Sequence, residues 1–505
     1  MVVFNEIEYR GVIFMRNKEK LVYVSKHIKD NEEYMKQVVG ATVSFDVGFR
    51  EIVVLERKIQ IYFVNGLVDD QSVIEILKEL IAINDVEVEK NKLADIVKNR
   101  LVNQQVDPKD KMEEITDQIL SGLIAVFIDG ERIAYVVDCR KYPGRQPEEP
   151  DTERVIRGSR DGFTENVVEN AALIRRRIRD KRLRNEILQV GKRSKTDICI
   201  SYINDIANDD FIKIVKNKLK EIDIDGIVMA DRALVELFVE YSWNPYPVVR
   251  FTERPDVAAH HLLSGYVVIT VDTSPSVIIL PTTYFDLLEH SEESRQSPTI
   301  GTFTRWFRIL AVLSSIYLLP FWLLLVLEPT LLPNQLSFIG PNDAGNIPIA
   351  IQILLAFVGV EFLRMAAVHT PSPLATALGL IAAVLIGQIA IDVGLFTPEV
   401  ILYAAISTVG SYVTPSYELS VANKVLSLFL ILMVICFGVT GFIIGFTVSL
   451  LFLVNIKTIN TPYFWPFIPF NFPAFIRFVF RVPIPYTDVR PSIVHPKDKI
   501  RMRTK

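Results

Sequence analysis

The C-terminal part of this 505-residue chain contains very few charged residues. Between Leu310 and Asn455 there are only eight Asp, Glu, Lys and Arg residues, whereas charges of both signs are dense before residue 305. The same stretch contains apolar runs of about 20 residues, the length that a helix needs to cross the roughly 30 Å hydrocarbon core of a bilayer. The sequence therefore excludes a protein that is soluble throughout and predicts an integral membrane protein in contact with lipid.

Cysteine is also scarce. Cys139, Cys199 and Cys436 lie far apart, and none belongs to a CxxC pair, which argues against a disulfide framework and a zinc site. The chain has no Walker A sequence, no GxSxG nucleophile elbow, no HExxH pair and no glycine-rich dinucleotide loop. The neighbouring His260 and His261 would diverge on a helix and would not share a metal. We therefore expect no enzymatic activity, no cofactor and no metal site.

The first 305 residues are expected to lie in the cytoplasm, because the N-terminal sequence lacks the features of a secretory leader. Acidic residues interrupt its apolar residues, and no small-residue cleavage site follows. Further along, β-branched and aromatic stretches alternate with stretches of helical periodicity, which indicates an α/β or α+β fold. The stretch GLIAVFIDGERIAYVVD predicts a hairpin in which Asp129 and Gly130 form a two-residue type I′ turn.

Two predicted hairpins share a spacing that suggests an internal repeat. Gly122 and Asp129 stand seven residues apart around an apolar run, as do Gly265 and Asp272, and each pair leads into a second predicted strand. Related subdomains explain this spacing, but any hairpin tends to have Gly before it and Asp at its turn, so both interpretations stay open. We predict an α/β cytoplasmic region of two related subdomains, followed by an α-helical transmembrane region.

The predicted organisation has five parts. They are an N-terminal extension (1–30), cytoplasmic subdomain 1 (31–147), a charged connector with cytoplasmic subdomain 2 (148–304), a transmembrane domain (305–456), and an aromatic interfacial segment with a basic cytoplasmic tail (457–505). The connector is predicted to become a helix with Glu165 and Glu169 near its start and bases towards its end, which complements the helix dipole.

The basic end of this helix contains seven Lys and Arg residues between Arg175 and Arg184. No aromatic residues are interleaved with them, and no nucleic-acid motif surrounds them. The net charge of −4 is also too small to suggest a polyanion-binding protein. We therefore expect no nucleic-acid partner and favour a solvated or subunit-facing helix, with lipid headgroups as the alternative partner.

Three spans are predicted at the start of the membrane region, over about 306–327, 347–367 and 374–393. Arg305 and Arg308 mark the start of the first span as cytoplasmic. The third span contains small residues at four-residue spacing, which permits close helix packing in lipid. These residues are Ala375, Gly379, Ala383 and Gly387.

The end of the membrane region is less regular. The stretch ILYAAISTVGSYVTPSYELS is short and polar enough to be either a further span or a re-entrant segment. The last apolar run, over about 425–454, precedes an aromatic, proline-rich stretch suited to a membrane interface and a basic tail suited to the cytoplasm. Termini on one side require an even number of crossings. We predict four full spans plus one partial insertion, with five spans as the alternative.

Two charges lie inside the second predicted span. Glu361 and Arg364 are i,i+3 neighbours on a helix and can pair, which lowers the cost of placing either charge in the membrane. Lipid would still reject both, so they should face the protein interior, another subunit or a watery path, although Arg364 could also snorkel. A structural ion pair and an ion gate both remain open. Further candidates for a pore or gate are Gln388, Asp392, Ser407, Ser411 and Glu418, with solvated loops as the alternative for Asp392 and Glu418.

Several long motifs carry a resemblance to a known family. They are EEPDTERVIRGSRDGFTEN, NAALIRRRIRD, FTERPDVAAHHLLSGYVVITVDTSPSVIILPTTY, IGQIAIDVGLFTPEVI and TPSYELSVANK. From about Asp46 to its end, the chain resembles the A subunits of bacterial spore germinant receptors, the GerA family. One departure is Thr273 in DTSP, where many relatives have Gly. The resemblance implies an inner spore-membrane protein that acts in germination with other germination membrane proteins, its N-terminal region facing the spore core.

The resemblance also implies a homo-oligomer, a pentamer, around a pore for monovalent cations. The leading hypothesis is a channel subunit that promotes ion release, with residues 404–411 and the second span lining the pore. A scaffold or signal relay without conductance is the alternative, and a transporter is disfavoured because no inverted repeat of spans is visible. Charged residues of the matching motifs are candidates for subunit contact or coupling: Glu149, Arg157, Arg160, Glu165, Arg175, Arg176, Glu253, Arg254 and Asp256.

Overall fold

The computed structural model describes residues 22–85, 93–101, 106–141, 158–238, 243–341, 345–369, 385–459 and 461–502. The chain divides into two compact units. One contains Met1–Tyr142 with Arg179–Lys181, and the other contains Pro143–Ile178 with Arg182–Lys505. The first division lies close to the predicted boundary at residue 147. The second unit combines subdomain 2 with the apolar helices, and the predicted boundary between residues 304 and 305 stays a prediction.

The first unit is built around a five-stranded sheet. Its strands are β1 (Val47–Val54), β2 (Arg57–Val64), β3 (Val106–Lys109), β4 (Ile124–Ile128) and β5 (Ala134–Val137), in the spatial order β1-β2-β4-β5-β3. Its α-helices in the described residues are α1 (Ile28–Tyr34), α2 (Asp70–Ile81), α3 (Leu93–Arg100) and α4 (Met112–Leu120). β4 is buried along its whole length, and its apolar residues share one core with the apolar faces of α2 and α3.

The second unit begins with a sheet of the same topology. Its strands are β6 (Leu183–Val190), β7 (Thr196–Ile203), β8 (Arg250–Thr252), β9 (Val267–Val271) and β10 (Val277–Leu280), in the order β6-β7-β9-β10-β8. Its helices are α5 (Val167–Arg177), α6 (Asp209–Glu221), α7 (Ala230–Phe238), α8 (Pro255–Ser264) and α9 (Ser291–Arg295). In both sheets the strands lie in the same spatial order: the first, second, fourth, fifth and third strand of the subdomain. Each described strand pair in them is antiparallel. The prediction of two related subdomains is confirmed.

The glycine spacing that suggested the repeat occupies equivalent places in the two sheets. Gly122 precedes β4 with φ 94°, and Gly265 precedes β9 with φ 100°. This left-handed conformation suits Gly, which has no Cβ atom to clash. Asp129 and Asp272 directly follow β4 and β9, so the seven-residue spacing marks the same strand in each subdomain.

The predicted two-residue turn between β4 and β5 is wrong. Gly130 has φ 89°, but Asp129 is not left-handed, and the ladder ends with Phe127 opposite Ala134. Asp129 instead prolongs the pairing of β4 with β2, because its N–H donates to the carbonyl of Lys58 at 2.9 Å. The connection is therefore wider than a type I′ turn.

The predicted connector helix is present as α5, but it ends at Arg177, so the prediction that its basic end extends to Arg184 is wrong: Arg184 lies in β6. The side chain of Asn166 caps its start by accepting hydrogen bonds from the N–H groups of Val168 and Glu169. Glu169 lies in the first turn and Arg175–Arg177 lies in the last, as the dipole argument predicts. Thr273 follows β9 with φ 71°, and its N–H donates to the carbonyl of Glu165 at 2.7 Å.

The remainder of the second unit is largely apolar and helical. Its longer helices are α10 (Pro298–Leu327), α11 (Ile349–His369), α12 (Pro398–Tyr412) and α13 (Tyr417–Asn455). In the described part of the chain, three helical stretches are long and apolar enough to cross a membrane: Pro298–Leu327, Ile349–Ala366 and Tyr417–Asn455. The predicted third span lies mostly outside the described residues, and only the π-helical turn Leu385–Ile389 and the short helix Ala390–Asp392 belong to its end.

α13 is divided at Gly438 into a first arm (residues 417–437) and a second arm (residues 439–455). Gly438 has φ 55° and ψ −132°, a conformation open to Gly because Gly has no Cβ atom. The arms lie side by side, since a Cβ atom at Gly445 would lie 3.1 Å from Leu430 Cδ2. The prediction of one long crossing here needs correction, because Gly438 reverses the chain into a helical hairpin. The total number of spans stays a prediction.

Both ends of this hairpin lie on one side of the helices. Leu419 and Leu453 belong to the same core cluster as residues of the second sheet, although a straight helix would hold them roughly 50 Å apart. The turn at Gly438 lies at the other end, where Glu328 follows α10. After α13 come β11 (Lys457–Thr458), β12 (Thr461–Pro462) and α14 (Phe472–Val479). The carbonyl of Arg477 in α14 accepts a 2.7 Å hydrogen bond from Arg305 at the start of α10.

Candidate functional site

The carboxylate of Glu361 lies between two cations. Arg364, one turn along α11, places Nη2 2.7 Å from Glu361 Oε2, as the i,i+3 spacing predicts. Lys424, on the first arm of α13, places Nζ 2.5 Å from Glu361 Oε1. The side chains of Glu361, Arg364 and Lys424 are 21%, 14% and 10% exposed. We call these three residues the charged triad, and its formal charge is +1.

Two tyrosine rings flank the triad. The guanidinium of Arg364 lies 5.3 Å from the ring centre of Tyr417, and the ammonium of Lys424 lies 5.5 Å from that of Tyr412. Both distances fall within the range of cation–π attraction. Because Tyr412 ends α12 and Tyr417 begins α13, the loop between these helices holds an aromatic surface against both cations.

Lys424 belongs to a polar stripe that the sequence analysis did not identify. Ser416 caps α13 by accepting a hydrogen bond from the N–H of Leu419, which fixes the start of the helix. From there, Ser420, Lys424 and Ser427 follow at i, i+4 and i+7, and all are buried. Polar residues at this spacing share one face of a helix, so the stripe is the signal from which Lys424 could have been found.

A small cavity adjoins the triad. It has a volume of about 20 Å³, roughly that of one water molecule, and its polar lining comes from Glu361, Lys424, Ser315, Ser407 and Thr408. The hydroxyl of Ser407 on α12 donates to the carbonyl of Ser315 on α10 at 3.2 Å. The interior of the helices is therefore polar here, but it is too narrow for a hydrated ion.

The other predicted pore residues occupy different environments. Ser411 is buried, and its carbonyl accepts a 2.8 Å hydrogen bond from Ser420 of α13, so it joins two helices of the same chain. Gln388 and Asp392 are exposed on the helical segment before α12. Of the small-residue stripe, Ala375, Gly379 and Ala383 lie outside the described residues. At Gly387, no described atom lies within 4 Å of an added Cβ position.

Glu418 lies at the junction with the second sheet. Arg232 of α7 places Nη1 3.0 Å from Glu418 Oε1, and the pair forms part of the wall of a pocket of about 320 Å³. Glu253, a predicted coupling residue, lines the same pocket, together with Asp231 of α7 and Arg250 of β8. Glu418 therefore connects α13 with the second sheet, whereas the charged triad lies further along the first arm.

Arg254 is one of two predicted coupling residues that are fully buried in the described part of the chain. It is fully buried, and it donates to Asp256 Oδ1 and to the carbonyl of Ser159 at 3.1 and 3.0 Å. Burial opposes ionisation of Asp256, but hydrogen bonding and charge from Arg254 and Arg295 outweigh it and keep the pKa of that carboxyl below its usual value. Arg254 and Asp256 thus fix the start of α8 against the connector.

The remaining coupling candidates are dispersed. Arg175 is fully buried in α5 and donates from both terminal nitrogens to the carbonyl of Leu183 at 3.3 Å, so it is a core residue. Arg160, Glu165 and Arg176 are exposed. Glu149 and Arg157 lie outside the described residues.

A second buried carboxylate, Glu293, was not predicted. Its side chain is 1% exposed, and Arg305 Nε lies 2.6 Å from its Oε2 while Arg308 contacts its Oε1. The sequence pattern predicts for Arg305 and Arg308 only that they mark the cytoplasmic end of the first span. Their pairing with Glu293 of α9 ties the first apolar helix to the soluble part of the second unit.

These features define a membrane protein in which paired antiparallel-sheet subdomains precede a helical region with internal charge. The chain belongs to the GerA family: the family described as Bacillus/Clostridium GerA spore germination protein matches residues 33–493. The chain is 54% identical over 488 residues to "Stage V sporulation protein AF" of Bacillus subtilis (strain 168), with 97% of this chain and 99% of that protein covered. It is 27% identical over 492 residues to "Spore germination protein KA" of the same organism, with 96% and 90% covered.

A solved structure is also similar. It is the N-terminal domain of the A subunit of the Bacillus megaterium spore germinant receptor GerK3, with 25% sequence identity and a TM-score of 0.41. The match covers 51% of this chain and 96% of that chain.

Proposed function

We propose that this chain is a subunit of an oligomeric channel for monovalent cations in the inner spore membrane, where it promotes ion release during germination. The role in germination follows from membership of the GerA family. The observation that supports conduction is the charged triad, which places a carboxylate, a guanidinium and an ammonium among helices that are otherwise apolar. Ionisable groups inside membrane helices are costly and commonly mark ion pathways.

An assembly of several copies is supported by the outer surface of the helices. Gln388 and Asp392 are exposed although they lie at the end of a predicted span, and no described atom lies within 4 Å of an added Cβ at Gly387 beside them. Lipid disfavours exposed polar side chains, whereas a neighbouring copy or a wet axis accommodates them. The pentamer implied by the family resemblance, with other germination membrane proteins as partners, would supply both.

The proposed orientation places the N-terminal region on the spore-core side. Arg305 and Arg308 lie at the start of α10, and the basic C-terminal tail follows α14 on the same side of the helices. Positive residues accumulate on the cytoplasmic side of membrane proteins. In this orientation, ions leaving the core would first meet the side of the helices that carries the second sheet.

The scaffold hypothesis is the second candidate, and the packing around α12 favours it. Ser407 and Ser411 are buried against helices of the same chain, and the cavity beside the triad holds roughly one water molecule. A scaffold needs no wider path. A channel must open this region before ions pass.

An ion-flux assay separates the two candidates. The full chain is purified, reconstituted in liposomes loaded with potassium, and compared with the Glu361→Gln variant; Glu221→Gln, an exposed carboxylate at the end of α6, is the matched control. A channel predicts potassium efflux that Glu361→Gln alters and Glu221→Gln does not. The scaffold would be favoured if vesicles with correctly assembled protein release no potassium. This result must hold for the chain alone and for the chain with co-purified germination proteins.

A further inference from the structure

The charged triad contains one cation more than its single carboxylate needs. Arg364 is already paired with Glu361 within α11, so a local ion pair would be complete without a second cation. Lys424 nevertheless reaches the free side of the same carboxylate from α13. A second cation at this place gives the triad a net positive charge at a partly buried position, where charge interactions are stronger than in water.

The cavity that Lys424 helps to line contains groups that a small monovalent cation would use. It is also lined by the carboxylate of Glu361, by Ser315 and by the hydroxyl-bearing Ser407 and Thr408. Carboxylate, carbonyl and hydroxyl oxygens replace the hydration shell of alkali ions in selective channels. An ammonium group is likewise a compact positive charge, so it takes the place of such an ion.

We propose that Lys424 is a tethered cation that occupies a monovalent-cation site at Glu361 and thereby keeps free cations out of the path. The inference rests on the proposed channel function and specifies how the path is closed. Opening requires the ammonium to leave the carboxylate. The ring of Tyr412, 5.5 Å from Nζ, gives the displaced ammonium a second attractive surface, so the movement does not expose it to lipid alone.

A charge series in potassium-flux measurements tests this inference. The triad carries +1 in the wild type, 0 in Lys424→Met, +2 in Glu361→Gln and +1 in the double variant. Flux should therefore be highest for Lys424→Met, by about tenfold or more over wild type, because removing a unit charge a few ångströms away changes a barrier by more than about 1.4 kcal/mol. Lys424→Arg should resemble wild type, and Glu361→Gln should fall below it. Lys213 is an exposed lysine on α6, so Lys213→Met is the control for removing an amine elsewhere in the chain.

A chemical rescue removes the question of folding, because it changes the charge on protein that is already assembled. Cys139 and Cys199 are buried and Cys436 is exposed, so Lys424→Cys is made in a Cys436→Ser background. An aminoethyl thiosulfonate restores the ammonium and should return the flux to the wild-type value, whereas a methyl thiosulfonate should leave it high. If Lys424→Cys does not assemble, the lower potassium flux predicted for Glu361→Gln tests the inference instead.

The two proposals fail in different ways. Equal flux in wild type, Lys424→Met and Lys424→Arg would overturn the role of Lys424 and leave the channel intact. The absence of flux from every assembled variant would overturn the channel itself.

Discussion

Arg232 on helix α7, in the subdomain of the second sheet, is paired with Glu418 in the first turn of α13. The distance between Nη1 and Oε1 is 3.0 Å. The pair links the soluble part of the second unit to the arm that carries Lys424, about two helical turns further on. We predict that a shift of α7 is transmitted to the charged triad through the first arm of α13.

Breaking this link should affect ion flux more than stability. The side chains of Arg232 and Glu418 are 41% and 33% exposed, and pairs of this kind contribute about 1 kcal/mol or less. We expect Arg232→Met and Glu418→Gln to lower the free energy of unfolding by no more than that, yet to change potassium flux non-additively in a double-mutant cycle. Lys192 and Asp223, an exposed ion pair elsewhere on the second unit, provide the matched cycle. Strictly additive effects on flux would show that the pair does not couple the two parts.

Gly438 should be sensitive to any side chain. At φ 55° and ψ −132°, an L-residue clashes with its own backbone, which costs roughly 1–3 kcal/mol. We expect Gly438→Ala to lower the thermal unfolding temperature. Gly387→Ala is the control, because an added Cβ there meets no described atom within 4 Å. Equal unfolding temperatures for the two variants would contradict the helical hairpin.

Replacing Thr273 with glycine should stabilise the fold. Thr273 is β-branched and has φ 71°, a conformation that costs non-glycine residues roughly 1–2 kcal/mol. Thr273→Gly relieves this strain, but it also makes the unfolded chain more flexible, which lowers the stability by about 0.5–1 kcal/mol. We expect a net gain of about 0.5–1 kcal/mol in denaturant unfolding, with the bond from residue 273 N–H to the Glu165 carbonyl retained. A loss of stability would mean that the threonine side chain stabilises the folded state by more than the backbone strain destabilises it.

His290 should make the protein less stable in acid. Burial, followed by the charges of Arg308 and Arg250, lowers the pKa of His290 to about 4. Its ring must be neutral to accept the hydrogen bond that the Glu292 N–H donates to Nδ1 at 3.2 Å. As pH falls from about 6.5 to about 4, His290 becomes protonated in the unfolded chain but stays neutral in the folded chain. The free energy of unfolding therefore decreases across that window, by about 2 kcal/mol at most for this partly exposed group.

His290→Asn tests the assignment, because Asn can cap α9 but does not titrate in this range. The wild type should lose stability relative to the variant as pH falls from about 6.5 to about 4. Parallel unfolding curves for the two proteins over this range would show that another group is responsible.

The sequence predicted what depends on local spacing. The pairing of Glu361 with Arg364 follows from three-residue spacing on a helix, and the acidic first turn and basic last turn of α5 follow from the helix dipole. The repeated Gly-to-Asp spacing marked the same strand in both sheets. These features need no knowledge of which distant segments meet.

The features that were missed depend on tertiary contacts or on a single backbone angle. Lys424 lies 63 residues after Glu361, and no periodicity of α11 points to it. The turn at Gly438 is invisible in hydropathy because the residues on both sides of it are apolar, and Gly is common in membrane helices. Glu293 was missed because a short acidic helix before a span is indistinguishable from a solvated loop until Arg305 and Arg308 are seen to enclose it.

The reversal potential of the purified full chain in a planar bilayer under a potassium chloride gradient tests the central claim most directly. A cation channel gated at Glu361 predicts a current that reverses near the potassium equilibrium potential, with conductance raised by Lys424→Met and lowered by Glu361→Gln. A current that reverses at the chloride potential, or an assembled complex that carries no current in any of the three proteins, would contradict the account.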